Sequence, residues 1–313
     1  MAAPGRFGLD VGIYGALATP EIILRLAGLA EDAGFSSLWF ADHVMLPTSY
    51  ASRYPYSTAG EAPLDFSQAL LEPIATMGVL AGATKRVKLG TAVLVMPYRN
   101  PVLLARMLAT LDQFSGGRVI LGAGTGWLAE EFATLAAPDY AARGKVTDEY
   151  LEIFKAICAG GKVAHEGAHY RFHDAWSNPG SLQRPHPPIL IGGVTDVALK
   201  RVVRLGDGWL AVSAGREQLA ERLAALDRFC AEKGRRRADL HLAYKMFVSL
   251  GEAKLNPAGE REPGTGSAAQ VIDDLKAILG LGFDTVIVRH RAGAADELFA
   301  AVDRFAGEII PKA

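Results

Sequence analysis

The chain has 313 residues, of which 50% are hydrophobic and 21% are charged, and its formal net charge is -1 at pH 7. This balance supplies no basic field for nucleic acid or for an anionic membrane surface, and no apolar run is long enough to span a bilayer. The first residues lack the apolar core of a signal peptide, so we expect a cytoplasmic protein that binds neither nucleic acid nor membrane.

Short β-branched runs alternate with amphipathic segments along the chain. The predicted strands are, in order, RFGLDVGIY, SLWFADH, VKLGTAVLV, RVILGAG, PILIGG, GWLAV, LHLAYKMFVSL and FDTVIVRH. Helices are predicted between them, over about 19–34, 67–84, 101–114, 195–205, 217–233, 267–279 and 296–306. Eight strands with intervening helices favour an α/β fold of the (β/α)8 TIM-barrel type over a doubly wound sheet.

Three segments interrupt the regular alternation and are predicted as insertions. Residues 41–66 form a long loop after strand two, rich in Pro, Tyr, Ser and Gly. Residues 160–188 follow strand four and carry a predicted hairpin, KVAHEGAHYRFHD, and residues 252–266 follow strand seven. No linker divides the chain, so we expect a single domain over residues 1–313.

Neither the cysteines nor the hairpin histidines predict a structural centre. Cys158 and Cys230 lie in helix-like segments, which argues against a disulfide. His165, His169 and His173 recur every four residues, but the alternating pattern there indicates strands. No cysteine or acidic cluster accompanies them at ligand spacing, so we expect no metal site.

The stretch RVILGAGTGW, residues 118–127, is a strand that ends in glycines. Such an ending lets backbone approach a flat or anionic ligand closely. The G-x-G-x-x-G fingerprint requires a third glycine where Trp127 stands, and the Gly-Lys-Ser/Thr of a Walker loop is missing. Both nucleotide-loop interpretations therefore fail, while a simple turn from strand to helix remains an alternative.

The active site of a (β/α)8 barrel lies at the carboxyl ends of its strands. The predicted strand ends are rich in glycine and aromatic residues and poor in clustered carboxylates, which argues against a metal-dependent hydrolase. Only Lys245 could serve as a Schiff-base lysine at a strand centre, whereas glycine and aromatic walls suit a planar heteroaromatic ring. The strand-end residues are Tyr14, Asp42, His43, Met96, Pro97, Tyr98, Gly124, Thr125, Gly126, Trp127, Gly192, Gly193, Ser213, Arg289, His290 and Arg291.

Three long segments carry a resemblance to a known family. They are SLWFADHVMLP, GTAVLVMPYRNPVLLARMLATLDQFSGGRVILGAGTGWLAEEF and PHPPILIGGVTDVALKRVVRLGDGW. In order and spacing they resemble the luciferase-like monooxygenase superfamily, nearest its subgroup labelled as dependent on coenzyme F-420. The resemblance implies a TIM barrel that binds FMN or the deazaflavin at its carboxyl face for two-electron chemistry, often oxygen insertion. It also implies a homodimer or higher homo-oligomer and a separate flavin reductase as a partner.

The same resemblance implies which residues hold the cofactor. The loop after strand four would lie under the ring, where a Cβ would collide with it, and Thr125 and Gly126 match ring-contacting positions. A cis, non-proline peptide is implied at Ala92–Val93. Trp127 stands where some similar enzymes place a proton-transferring glutamate, which puts a sugar-phosphate dehydrogenase activity in doubt. The predicted cofactor-binding residues are Ala92, Val93, Gly124, Thr125, Gly126, Trp127, Gly192, Gly193, Val194 and Thr195.

Two further groups of residues are predicted to bind anions. Residues 192–195 end strand five and open a helix, whose free amides and dipole suit a phosphate, although Thr195 could equally be a plain helix cap. Arg289, His290 and Arg291 close strand eight, where they could hold an anionic substrate or the tail of the cofactor. Arg289, His290 and Tyr14 are the predicted substrate-binding residues. A solvated basic rim is the alternative for strand eight.

Asp42 and His43 are the predicted catalytic pair, at the end of strand two. The resemblance implies a histidine beside the reactive ring edge, as a proton donor or charge stabiliser. Histidine suits that role because its usual pKa lies near neutral pH, although an isolated histidine is more often structural.

The favoured hypothesis is an oxidoreductase that uses reduced FMN and O2 to oxidise a small organic substrate. A water-poor pocket would favour that chemistry. Residues with few proton donors stand near the predicted site, namely Trp39, Phe40, Met45, Met96 and Trp127. The alternatives are a coenzyme F-420-dependent oxidoreductase that transfers hydride, a non-catalytic flavin-binding barrel, and a barrel lyase without flavin affinity. The sequence does not name the substrate.

Overall fold

Eight parallel strands close into a barrel in the computed structural model, which describes residues 6–55, 60–62, 65, 67–212, 215–256 and 258–313. The strands are, in chain order, β1 (Phe7–Asp10), β2 (Ser37–Phe40), β3 (Lys88–Thr91), β4 (Leu94–Val95), β5 (Val119–Gly124), β6 (Gly161–Glu166), β7 (Arg171–Ser177), β8 (Ile189–Gly192), β9 (Gly208–Val212), β10 (His241–Leu250), β11 (Thr265–Gly266) and β12 (Thr285–His290). The barrel strands pair in the cyclic order β1, β2, β3, β5, β8, β9, β10 and β12, and β12 pairs again with β1. The predicted TIM barrel and its predicted strands are confirmed.

Helices connect the strands and cover the outside of the barrel. Over the described chain they are α1 (Pro20–Asp32), α2 (Pro73–Ala83), α3 (Pro101–Ser115), α4 (Ala129–Thr134), α5 (Arg143–Ala159), α6 (Asp196–Leu205), α7 (Arg216–Glu232), α8 (Ala268–Gly280) and α9 (Ala295–Arg304). A π-helical turn, Phe305–Ile309, continues α9. α4 and α5 are additional to the predicted helices. None of these helices combines the length and the apolar character that crossing a membrane requires.

Two apolar clusters follow from the alternation of side chains along each strand. Leu38 and Val288 belong to the larger cluster, which lies between the barrel and its helices. Trp39, Ile120 and Ile287 belong to a smaller cluster, to which six of the eight barrel strands and the residue after β3 contribute. This second cluster fills the barrel interior, as is usual for the fold.

The second predicted helix begins later than expected. The prediction starts near Ser67, whereas α2 starts at Pro73. The Glu72 side chain accepts a hydrogen bond from the Ala75 amide at 2.6 Å, and proline is well suited to the first helical position. Ser67 instead donates its amide to Asp65 in a turn, at 3.0 Å.

The insertion after the fourth barrel strand contains the predicted hairpin. β6 and β7 pair antiparallel with an irregularity between Val163 and His165, so the hairpin prediction is confirmed. His165 lies 3.3 Å from Glu149, and the exposed His173 lies 2.9 Å from Glu166. Over its described residues the insertion after β2 forms no helix or strand longer than an isolated bridge, and the insertion after β10 ends in β11. Ser213, a predicted strand-end residue, lies outside the described residues.

Candidate active site

A cavity of about 740 Å³ opens at the carboxyl ends of the barrel strands. Its volume lies within the range of about 300–1,000 Å³ that is usual for small-molecule and cofactor sites. Every predicted cofactor-binding residue lines it, together with Asp42 and His43. Parallel strands bring these positions together because their carboxyl ends meet at one face of the barrel. We call this space the first cavity.

A second cavity of about 840 Å³ adjoins the first. Tyr14, Tyr54 and Phe247 line both of them and so form the boundary. The predicted substrate-binding residues Arg289 and His290 line the second cavity. The predicted cofactor residues and the predicted substrate residues are therefore neighbours at one end of the barrel.

His43 is paired with a buried glutamate that the sequence did not single out. Nδ1 of His43 lies 2.7 Å from Oε2 of Glu131, and the Glu131 side chain is completely buried. The Tyr98 hydroxyl donates to the same Oε2 at 2.9 Å. The Val44 and Met45 amides donate to Oε1 at 2.6 and 3.1 Å. Glu131 thus orients the imidazole and is itself held by three further donors.

The protonation of this pair follows from its contacts. Burial is the largest single influence on Glu131 and opposes its ionisation. The hydrogen bond and charge of His43, with the Val44 and Tyr98 donors, outweigh burial and hold the pKa of Glu131 below its usual value. An ionised carboxylate only accepts hydrogen bonds, so Nδ1 of His43 carries a proton. Nε2 is then the ring nitrogen that remains for a ligand in the first cavity.

Asp42 has a different environment from its neighbour. Arg99 donates to both carboxylate oxygens, at 2.7 and 2.9 Å, and the Val95 amide donates to Oδ2 at 2.8 Å. Burial raises the pKa of Asp42, against the opposing effect of these donors. Arg99 also donates to Glu72 at 2.7 Å. Because both oxygens of Asp42 are engaged, the geometry favours a positioning role for this residue.

The Ala92–Val93 peptide is cis, as the resemblance implies. The Val93 side chain lies between the two glycine segments that end β5 and β8. A Cβ added to Gly124 would overlap Cγ2 of Val93, and one added to Gly192 would lie 2.5 Å from Cγ1. Val93 therefore excludes a Cβ at both positions, and the collision with the cofactor that the resemblance implies stays a prediction. Val93 requires these glycines, and its isopropyl group forms an apolar surface of the first cavity.

Packing within the protein also requires two other glycines of this stretch, one in β5 and one after it. A Cβ at Gly122 would overlap the carbonyl oxygen of Thr91. Gly126 has a φ of +80°, and a Cβ there would lie 2.7 Å from Phe132 and 2.8 Å from Val95. Substitution at Gly126 would therefore disturb the strand-to-helix turn itself, so the turn interpretation explains this glycine.

Trp127 contributes an aromatic wall to the first cavity. Its ring meets those of His43, Tyr50 and Tyr54 edge to face, with centroid distances of 6.2, 5.9 and 5.2 Å. The Tyr140 hydroxyl fixes the backbone by donating to the Trp127 carbonyl oxygen at 2.8 Å. Aromatic contacts of this kind make the wall rigid and apolar.

The start of α4 anchors the loop that follows β2. Glu130 accepts from the Ala51 and Ser52 amides at 2.6 and 3.1 Å, whereas Glu131 accepts from the amides of residues 44–45. The Ala129 amide donates to the Ser52 hydroxyl at 3.0 Å. Two adjacent glutamates therefore hold both ends of residues 44–52. Tyr50, within this segment, contacts the Trp127 ring.

The wall formed by residues 192–195 combines a helix start with a cation. The Thr195 hydroxyl accepts from the Ala198 amide at 3.2 Å, so Thr195 is the N-cap of α6. Thr195, Val197 and Ala198 line the first cavity, and the free amides of a helix start suit an anion. Arg143 lies across from Tyr140, 3.9 Å from its ring centre, and pairs with no carboxylate in the described chain. Arg143 and the helix start could together hold a phosphate.

The predicted substrate residues separate into two environments. Arg289 lies 4.3 Å from the Tyr14 ring centre and donates to Asp10 at 2.9 Å. His290 points the other way along β12, and its ring packs on Phe305 at 5.5 Å. Burial lowers the pKa of His290 to about 4, and its Nε2 has no partner among the described residues. This geometry favours packing over substrate contact for the His290 side chain.

Sequence reasoning missed three groups at this end of the barrel. Glu131 belongs to the acidic pair that follows the glycine stretch, which is the only sequence signal for it. Asp10 and Lys245 form a buried ion pair between β1 and β10. Lys245 was considered only as a Schiff-base lysine, and its contact with Asp10 could not be anticipated from residues so far apart in the chain.

Comparison with known proteins gives consistent matches. The sequence model of the luciferase-like monooxygenase family matches residues 2–254. An uncharacterised protein of Mycobacterium tuberculosis is 32% identical over 185 residues, which are 59% of this chain and 65% of that protein. An F420-dependent glucose-6-phosphate dehydrogenase of Microbacterium testaceum is 30% identical over 255 residues, 80% of this chain and 69% of the relative.

Two further matches concern an FMNH2-dependent relative and a solved structure. The FMNH2-dependent dimethylsulfone monooxygenase of Pseudomonas putida is 34% identical over 185 residues, which are 58% of this chain and 46% of that enzyme. A solved F420-dependent secondary alcohol dehydrogenase superposes with a TM-score of 0.80 over 99% of both chains, at 18% identity. This last likeness concerns the fold alone.

Proposed function

Because this chain belongs to the luciferase-like monooxygenase family, we propose that it is an oxidoreductase that uses reduced FMN and O2 to oxidise a small organic substrate. The observation that carries the proposal is the His43–Glu131 pair, at 2.7 Å, beside the apolar surface of Val93 and Trp127. It places an imidazole with one committed ring nitrogen beside two apolar surfaces of the first cavity. The dimethylsulfone relative, named as FMNH2-dependent, supports the choice of cofactor.

The residues of the first cavity fit a flavin mononucleotide. Val93 and Trp127 offer apolar surfaces to a planar ring, and Thr125 lines the same cavity. The first turn of α6 and Arg143 would hold the phosphate, because both favour an anion. The volume of about 740 Å³ leaves room for a ring and a ribityl phosphate chain.

The chemistry divides between the cofactor and the protein. When bound, reduced FMN supplies two electrons, with which one atom of O2 enters the substrate and the other leaves as water. His43 can give or take a proton at Nε2, because Nδ1 is committed to Glu131. When the His43 imidazole takes a second proton, the negative charge of the ionised Glu131 stabilises it.

The surroundings of His43 limit the access of water. The His43 side chain is only 11% exposed, and Trp127 covers one of its edges. The loop of residues 44–52, held by Glu130 and Glu131, brings Tyr50 against the Trp127 ring. A site with little water protects reactive intermediates of the reaction from breakdown by water, which supports the use of O2.

A coenzyme F-420-dependent hydride transfer is the second candidate function. The F420-dependent relative aligns with 80% of this chain, against 58% for the FMNH2-dependent one. The first cavity would receive either ring, and hydride transfer would need no O2. A flavin-binding barrel without turnover would use the same contacts but leave His43 without a role.

The test supplies reduced FMN from a separate flavin reductase, in air, with a panel of small organic compounds and isotopically labelled O2. We expect a product that carries the label. His43→Ala should lower its rate of formation about 100-fold or more, while FMN affinity changes only a few-fold. Product formed without O2 from reduced deazaflavin would favour the second candidate. Hydrogen peroxide as the sole product with every compound would contradict the proposed oxygen insertion.

A further inference from the structure

We infer that Lys245 and Arg289 form a binding site for an anionic group of the substrate, such as a carboxylate. This inference rests on the proposed function, since it concerns the substrate of the same site. The site lies where the second cavity meets the first, on the carboxyl ends of β1, β10 and β12. Its core is a cluster of two cations around one carboxylate, Asp10.

The contacts within this cluster are well defined. Nη1 of Arg289 donates to Oδ1 of Asp10 at 2.9 Å, and Nζ of Lys245 forms an ion pair with Oδ2. The Gly12 amide also donates to Oδ1, at 2.9 Å. Within the described chain, Asp10 is the sole carboxylate paired with either cation. One negative charge therefore faces two positive charges.

The excess charge lies in a shielded place. The exposed fractions of the side chains are 1% for Asp10, 12% for Lys245 and 17% for Arg289. A shielded excess cation costs free energy unless an anion approaches it. Two other carboxylates, Glu61 and Asp65, line the second cavity, but both are exposed and so are screened by solvent.

The position of the cations explains what an anchored anion would achieve. Lys245 lines the first cavity, and Arg289 lines the second. An anion held by both would leave the rest of its molecule against Tyr14 and Phe247, which line both spaces. The Arg289 guanidinium is already fixed over the Tyr14 ring, so little freedom is lost when it binds. Such an anchor would direct the uncharged end of a substrate toward His43.

The experiment compares two probes of the same shape, benzoate and its neutral amide, benzamide. Calorimetric titrations are made on the full chain at low salt, with and without saturating FMN. We expect benzoate to bind about tenfold or more tightly than benzamide, because only benzoate meets the cations. FMN should not abolish this preference. A wild-type ratio near one would overturn the inference without any variant.

Two substitutions distinguish a binding role from a structural role. In a binding site they change benzoate affinity in opposite directions, and in a structural network they both lower it. Lys245→Met should lower benzoate affinity about tenfold and leave benzamide affinity within about twofold. Asp10→Asn removes the competing carboxylate and should raise benzoate affinity. If both substitutions lowered benzoate affinity, the cluster would be a structural network. Arg289→Gln repeats the test if Lys245→Met fails to fold.

A matched control is available on the same wall. Arg291 is exposed and lies 4.6 Å from the Phe247 ring, but it does not contact Asp10. Arg291→Gln should keep the preference for benzoate within about twofold. If FMN removed the preference and Lys245→Met weakened FMN binding tenfold, the cations would hold the cofactor, which overturns the substrate assignment. Loss of FMN binding with the preference intact would refute the proposed function alone.

Discussion

His43 and Glu131 lie 88 positions apart in the sequence, yet Nδ1 of one and Oε2 of the other are 2.7 Å apart. His43 follows β2, and Glu131 lies in the short helix that follows β5. The contact joins two neighbouring parts of the barrel mouth and fixes which imidazole nitrogen faces the first cavity. Glu131 is therefore a positioning residue, since it acts through His43.

Glu131→Gln should slow turnover without weakening the binding of the cofactor. The amide keeps the size of the side chain but removes the charge that stabilises a protonated imidazole. We expect kcat to fall about 10- to 100-fold, as for other partners of a functional histidine. KM and the Kd for reduced FMN should change less than about threefold. Steady-state rates of formation of the oxygenated product give kcat and KM, and an anaerobic titration with reduced FMN gives the Kd.

Glu130→Gln is the matched control for this prediction. Glu130 is the adjacent glutamate and holds the same loop, but through the Ala51 and Ser52 amides. Turnover should stay within about threefold of the wild type, because this residue does not contact His43. Equal losses of kcat in the two variants would show that the loop anchor matters and that the His43 contact does not.

A second prediction concerns Val93 and the glycine opposite it. Gly192→Ala places a Cβ 2.5 Å from Cγ1 of Val93, so it should lower the free energy of unfolding by about 1–3 kcal/mol. In a Val93→Ala background the colliding atom is gone, and the same substitution should be nearly neutral. Chemical denaturation of the four proteins gives a coupling energy, which we expect to exceed about 1 kcal/mol.

Gly82→Ala, in α2, controls for the general effect of removing a glycine. Nothing lies within 4 Å of a Cβ built there, so this variant should be as stable as the wild type or more so. If Gly192→Ala were equally harmless in the wild-type background, Val93 would not be the reason for the glycine.

Stability should fall below pH 6.5 because of His290. Burial lowers the pKa of His290 from 6.5 to about 4, so between these values the unfolded chain binds a proton that the folded chain does not. The free energy of unfolding should therefore decrease as the pH falls from 6.5 to 4, with up to about 3 kcal/mol due to this group. Above pH 6.5 it makes no pH-dependent contribution.

Denaturation of His290→Asn and of wild type at several pH values isolates this contribution. The difference between the two free energies should shift by about 3 kcal/mol in favour of the variant between pH 6.5 and 4. The exposed His169, changed to Asn, serves as the control. Parallel curves for wild type and His290→Asn would refute the burial of a neutral imidazole.

The sequence was sufficient for the barrel and for the position of the first cavity. β-branched runs of regular spacing predict the strands, and the barrel then brings the strand ends at 92–93, 124–127 and 192–195 to one face. The spacing of the strands in the sequence predicts the barrel topology. That topology places these positions around one cavity.

The contacts among side chains could not be predicted in the same way. Glu131 follows the glycine stretch in a segment that looks like an ordinary helix start, and its proximity to His43 depends on how two loops fold. The resemblance attributes the glycines to the cofactor, and the neighbouring Val93 and Phe132 side chains add a packing reason that the sequence does not show. His290 was expected at the substrate because it is a strand-end residue. Its ring packs on Phe305, as the alternation of β12 allows, although the residue also lines the second cavity.

An anaerobic calorimetric titration with reduced FMN and with the reduced deazaflavin tests the central claim most directly. We expect reduced FMN to bind about tenfold or more tightly than the deazaflavin. Thr125→Trp should fill the first cavity and weaken FMN binding at least about tenfold, whereas Thr110→Trp, on an exposed face of α3, should not. Tighter binding of the deazaflavin, or unchanged FMN affinity in Thr125→Trp, would contradict the account.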